Sequence, residues 1–182
     1  MRNPNSSVAI CITVLLSAAV FAGSSAGPSF EGPKATAAAC FARIKSLSGD
    51  WYQKDQKSGK ETLALRYRVT SGGNTVEEAE FPGAAHEMLT LYTMDGDKLV
   101  LTHYCSLGNQ PRMKATESST PSKIVFECAG GGNMKSESDM HMHHLVLNVQ
   151  SADHIISEWS LYKDGKSAGH EAKFDVRRKA AK

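Results

Sequence analysis

The chain has no long apolar stretch beyond residue 20, so no membrane span is expected after that point. It has no excess of either charge: 21 Lys and Arg against 19 Asp and Glu leave +2 at pH 7. Nucleic-acid binding needs a basic face that such a balance does not supply, so no nucleic-acid partner is expected. The basic residues Arg177-Arg178-Lys179 and Lys182 close the chain as a short solvated tail. Also missing are a Gly-x-Ser-x-Gly elbow, a phosphate loop, a dinucleotide fingerprint and a His-Glu-x-x-His helix. No internal repeat is found, and catalysis has no motif to rest on.

One apolar run is present, at the start. Arg2 precedes Val8–Val20, which is broken only by Thr13 and Ser17, and small residues follow to Ala26. The pattern predicts a secretory signal peptide over residues 1–26 and a Gly/Pro/Ser linker over 27–33. Cys11 lies inside the run, so there is no lipobox. Removal of the segment costs one charge, Arg2, and the expected location is periplasmic or extracellular. Three cysteines remain: Cys40, Cys105 and Cys128. An exported protein is free to form disulfides, but an odd number leaves one thiol over. Cys105–Cys128 is one pairing between neighbouring strands; a pair with Cys40 is the alternative.

Residues 34–47 are alanine-rich, with Cys40, Phe41, Ile44 and Leu47 near helical spacing, and predict one amphipathic helix. After it the apolar period is two. Ten strands are predicted, at 50–54, 61–70, 75–81, 86–94, 98–106, 112–116, 123–129, 140–150, 154–162 and 167–177. Ser58-Gly59, Gly72-Gly73, Pro82-Gly83, Asp95-Gly96 and Asp164-Gly165 separate most of them. The Gly130–Gly132 run reads as a loop. Short strands joined by hairpin turns make an antiparallel meander. The fold expected is all-β: an up-and-down barrel of about ten strands with an N-terminal helix, because closure removes exposed edges.

Leu47-Ser48-Gly49-Asp50-Trp51 joins that helix to the first strand through Gly-x-Trp, and the last strand carries Phe174-Asp175-Val176-Arg177-Arg178. This resembles the calycin group of lipocalins, fatty-acid-binding proteins and nitrobindin-like haem barrels. The resemblance implies that Trp51, after Gly49, packs at the closed end, with Arg177 or Arg178 as its cationic cover. The segments 81–113, 141–147 and 157–166 are also similar to a group of uncharacterised exported bacterial proteins, which brings no activity with it. The barrel reading implies a lumen able to hold one small apolar ligand. The nitrobindin likeness admits haem as a minor option, for which the nearest late histidine is His170.

Three of the seven histidines stand in the stretch Met140-His141-Met142-His143-His144. In a strand, residues of one parity share a face. His141 and His143 run on into Leu145, Leu147 and Val149, so they are expected to point inward, with His144 outward and Met140 and Met142 as outward fillers. By the same rule His103 and Cys105 share the face of Leu99 and Leu101. Two pairs at i, i+2 spacing offer four nitrogen or sulfur ligands of the kind zinc and copper prefer. His86 joins them if Asp95-Gly96 forms a two-residue turn. A one-residue bulge instead puts Leu89 and Leu91 inside and gives the better apolar match; the register stays open. His154 and Glu158 fall opposite the apolar Ile155, Trp159 and Leu161, so they are expected at the surface. Three functions follow: a lumen binder of a small apolar ligand, a zinc or copper carrier or metal-dependent enzyme using the His/Cys cluster at the rim, or a filled structural barrel.

Overall fold

The structure is a computed structural model that describes residues 37–179; the signal-peptide and linker assignments lie outside them. Helix α1 (Ala37–Lys45) is followed by ten strands: β1 (Gly49–Lys54), β2 (Glu61–Thr70), β3 (Thr75–Glu80), β4 (Met88–Asp95) and β5 (Lys98–Tyr104), then β6 (Gln110–Ala115), β7 (Lys123–Gly132), β8 (His141–Val149), β9 (His154–Lys163) and β10 (Lys166–Arg177). Each strand pairs antiparallel with its neighbours in sequence, and β1 pairs with β10, so the sheet closes into a barrel. Among the described residues no helix is long and apolar enough to cross a membrane.

The barrel has two unlike ends. At the first, α1 buries Cys40, Phe41 and Ile44, and Leu47 completes the apolar plug. Here β1 begins. Trp51 is fully buried, and its Nε1–H donates to Leu47 O at 2.8 Å. Arg178 covers its ring at 4.3 Å and donates to the carbonyls of Ser48 (2.8 Å) and Ser46 (3.2 Å). Arg178, not Arg177, is therefore the cover. Gly49 is required here: its φ is +119° and a Cβ would lie 2.6 Å from Arg178 Nη1, so backbone conformation and cation both demand a residue without a side chain.

The second end carries the polar residues. The β4–β5 register differs from the one the apolar match favours. Asp95 pairs with Lys98 and Thr90 with His103, so the turn residues are Gly96 and Asp97. Thr90 and Tyr92 are fully buried, while Leu89 and Leu91 are only partly so. Apolar matching fails because this wall of the lumen is polar: β3 buries Glu78 and Glu80 beside Thr90 and Tyr92. His86 falls in the 81–87 loop, its ring 4.7 Å from that of Phe81.

Gly130–Gly132 is not a loop either. It extends β7, with Gly131 opposite Pro111 and Gly132 opposite Gln110. A Cβ on Gly131 would sit 2.8 Å from both Gln110 O and Pro111 Cα, so the glycines allow the two backbones to close up. The extension brings β7 up to the mouth beside the start of β8.

Candidate functional site

The second end holds two clusters. The first is on β7 and β8. Ile124, Phe126 and Cys128 share one parity, and the first two are buried, which brings Cys128 to the mouth. On the next strand His141 is 1% exposed. The register shifts between Met142 and His144, a bulge that leaves His143 as the extra residue. Its ring is half-buried and stacks on Tyr162 at 4.0 Å. Met142 packs against the core rather than filling the outside. His144 stands opposite Glu127, with Nδ1 3.1 Å from its Oε1.

One ring nitrogen from each of His141 and His143 and the Cys128 sulfur all lie within 4.8 Å of one another. Hydrogen bonding fixes the tautomers. His141 Nδ1 is 2.7 Å from Asp139 O, and a carbonyl only accepts, so Nδ1 carries a proton and Nε2 presents a lone pair. That Nε2 lies 2.9 Å from His143 Nδ1, which donates to it while both rings are neutral. Burial, then the neighbouring His141, lowers the His143 pKa and favours the neutral ring a metal requires. Burial raises the Cys128 thiol. An ion here would replace the proton between the rings and ionise the thiol.

His103 and Cys105 do not belong to this group, so the expected four-ligand site with His141 and His143 is not formed. The reason is strand order. β5 and β8 are separated by β6 and β7, three strand spacings or about 14 Å along the wall. Cys128, one strand from β8, takes the place expected of Cys105. Nor is there a Cys105–Cys128 disulfide: Cys40, Cys105 and Cys128 are free thiols.

The second cluster is built on β3, β4 and β5. Thr90 Oγ1 donates to Glu80 Oε1 at 2.6 Å and lies 2.8 Å from His103 Nδ1. The hydroxyl has one proton and gives it to Glu80, so Nδ1 must donate. The relay runs His103 Nδ1–H to Thr90 to Glu80. His103 is 2% exposed, and its ring lies 4.8 Å from that of Trp159 on β9, so the two walls meet across the lumen. Burial alone would depress His103, but the Cys105 thiol and the Glu80 carboxyl outweigh it and hold its pKa at about 9. Next to it Tyr92 donates to Glu78 Oε2 at 2.5 Å. Burial first, then Glu80, raises Glu78 to about 8, and the same burial lifts Tyr67 and Tyr92 well above their ordinary values.

These two groups give the barrel an unusual pH dependence. Glu78 binds its proton more tightly folded (about 8) than at its ordinary 4.5, so its contribution is full below 4.5 and fades up to 8. His103, raised from 6.5 to about 9, contributes fully below 6.5 and loses that contribution up to 9. Both slopes have the same sign. Denaturant midpoints measured from pH 5 to pH 9 are expected to fall steadily with pH; a rise over that range contradicts the buried, protonated Glu78.

Elsewhere the surface assignments match the geometry. His154 pairs with Asp175 and Glu158 with Lys173, each at 2.8 Å. Asn109 ties the β5–β6 loop to β8, its Nδ2–H donating to Met140 O at 2.8 Å. The side chain of His170 is outside what the structure describes. Sequence reasoning missed Cys128 as a site residue, although its parity with Phe126 was the available signal. It also missed Glu78, Glu80 and Thr90, whose polarity argued for an outer face. No protein-family model matches the chain, and a search of curated proteins finds no match.

Proposed function

We propose that this protein is an exported, calycin-like barrel whose open end binds a transition metal, zinc or copper, through Cys128, His141 and His143. The convergence of two ring nitrogens and a sulfur within 4.8 Å carries the reading. Thiolate with imidazole suits both metals, and three protein ligands leave a coordination position for solvent or a small molecule. The Nδ1–H of His141 held on a backbone carbonyl is the outer contact that orients a ligating imidazole. The Gly49–Trp51–Arg178 arrangement supports the calycin likeness, and the apolar run at 8–20 supports export.

An apolar cargo or haem in the lumen draws less support. Trp51, Tyr67, Tyr92, Phe126 and Trp159 are buried there, and polar atoms of Glu80, Ser157 and Trp159 have no partner, which suits water or a small polar molecule better than an apolar one.

The test is metal-linked stability. Zinc or copper(I) added to metal-free protein at 100 times its dissociation constant should stabilise the wild type by about 2.7 kcal/mol. His141→Ala/His143→Ala and Cys128→Ser should lose that gain. Equal stabilisation of wild type and variants would place the metal elsewhere.

A further inference from the structure

The second cluster is not used by the metal reading, and it assembles the parts of an activated thiol. Cys105 follows the last residue of β5, two positions after His103, and is half-buried at the mouth. His103 is fixed from behind: Nδ1–H goes to Thr90 and on to Glu80. Its other nitrogen, Nε2, is buried and has no hydrogen-bond partner. Cys105, two residues on and of the same strand parity, is the neighbouring thiol that acts on the ring. A nucleophile, a base beside it and a carboxylate that orients the base are the components nucleophilic catalysis requires.

We propose that Cys105 is a nucleophilic thiol, activated by His103 and Glu80, that undergoes exchange with low-molecular-weight disulfides. Cys105 passes its proton to His103 Nε2, and the resulting thiolate attacks one sulfur of the disulfide. The substrate S–S bond breaks, a mixed disulfide forms on Cys105, and the departing thiolate takes the proton from His103 Nε2. Electrons balance within the exchange, and no further oxidant is needed.

Electrostatics support the geometry. Burial acts to raise the Cys105 pKa, yet His103 and the Leu107 backbone N–H bring it below its ordinary value. Cys128, at the same end and also half-buried, instead donates its S–H to Gly130 O at 3.6 Å, which keeps the proton on sulfur. The chain thus contains its own reference thiol. Reactive cysteines sit beside a cation and partly exposed, whereas inert ones do not.

The experiment labels the full chain, reduced and stripped of metal by chelator so that both thiols are free, with iodoacetamide and separately with oxidised glutathione. Peptide mass spectrometry follows each cysteine from pH 5.5 to 9. At pH 6.5 Cys105 should react at least ten times faster than Cys128 with either reagent, with its rate profile inflecting below that of an ordinary thiol. His103→Gln should bring the Cys105 rate to within about threefold of Cys128 and move the inflection upward. If that variant does not fold, the wild-type comparison of the two thiols still decides. Equal rates at Cys105 and Cys128, or fast labelling that persists in folded His103→Gln, would overturn the proposal. Metal binding at Cys128, His141 and His143 is scored separately, because chelation removes it from this assay.

Discussion

Trp51→Ala is expected to cost about 3–5 kcal/mol, the range for deleting a large buried aromatic. The ring is fully enclosed, so its removal leaves a cavity. It also strands two partners. Leu47 O loses the indole donor that ties the end of α1 to β1, and Arg178 loses the face over which it lies. Arg178 keeps its bonds to Ser46 and Ser48, so the clamp should loosen without vanishing. Urea unfolding of wild type and variant measures the difference. A loss below about 1 kcal/mol would mean that the ring is not the keystone of the helix-capped end, and would remove the main support for the calycin likeness.

Glu80→Ala is expected to cost about 3–5 kcal/mol at pH 5, because removing one member of a buried pair leaves the other uncompensated. Glu80 Oε1 lies 3.6 Å from His103 Nδ1, both residues being almost fully buried, and Thr90 links them. Without the carboxyl, Thr90 loses its acceptor and His103 its buried carboxylate partner. The cost should shrink by pH 9, since there His103 no longer gains from the pair; its raised pKa of about 9 marks where that gain ends. Denaturation at both pH values, with NMR titration of His103, reads the two effects together. A variant as stable as wild type at pH 5, with the His103 titration unmoved, would remove Glu80 from the relay.

The strands were legible because their punctuation is local. Ser58-Gly59, Gly72-Gly73 and Asp164-Gly165 each end a run whose alternation is clear, and β2 and β9 fall within a residue of the predicted limits. Face assignment was harder, because it assumes that apolar means inward. On β3 and β4 the lumen takes Glu78, Glu80, Thr90 and Tyr92, and the leucines of β4 go to the other side. At Gly130–Gly132 composition suggested a loop, whereas the close approach to Gln110 and Pro111 is a property of the partner strand. The cluster of Cys128, His141 and His143 was half visible. His141 and His143 were named from parity, but their partner depended on which strand adjoins β8, a question of order around the barrel. Assigning Cys128 to a disulfide hid it from that question.

The junction of β1 with β10 has a consequence for how the molecule assembles. Every other strand pair joins neighbours in sequence across a short connection, so those ladders form locally at low loop-closure cost. The β1–β10 junction joins the two ends of the barrel sequence through only Tyr52–Arg177 and Gln53–Val176, and closing so long a loop is the slow, entropically costly step. Arg178 reaches from the end of β10 back to Ser46, Ser48 and Trp51, fastening the last strand to the start of the first. The sheet therefore stays an open, curling meander until β10 meets β1, and Arg178, whose charge reads from the sequence as ordinary solvated charge, is the latch that ends that exposure.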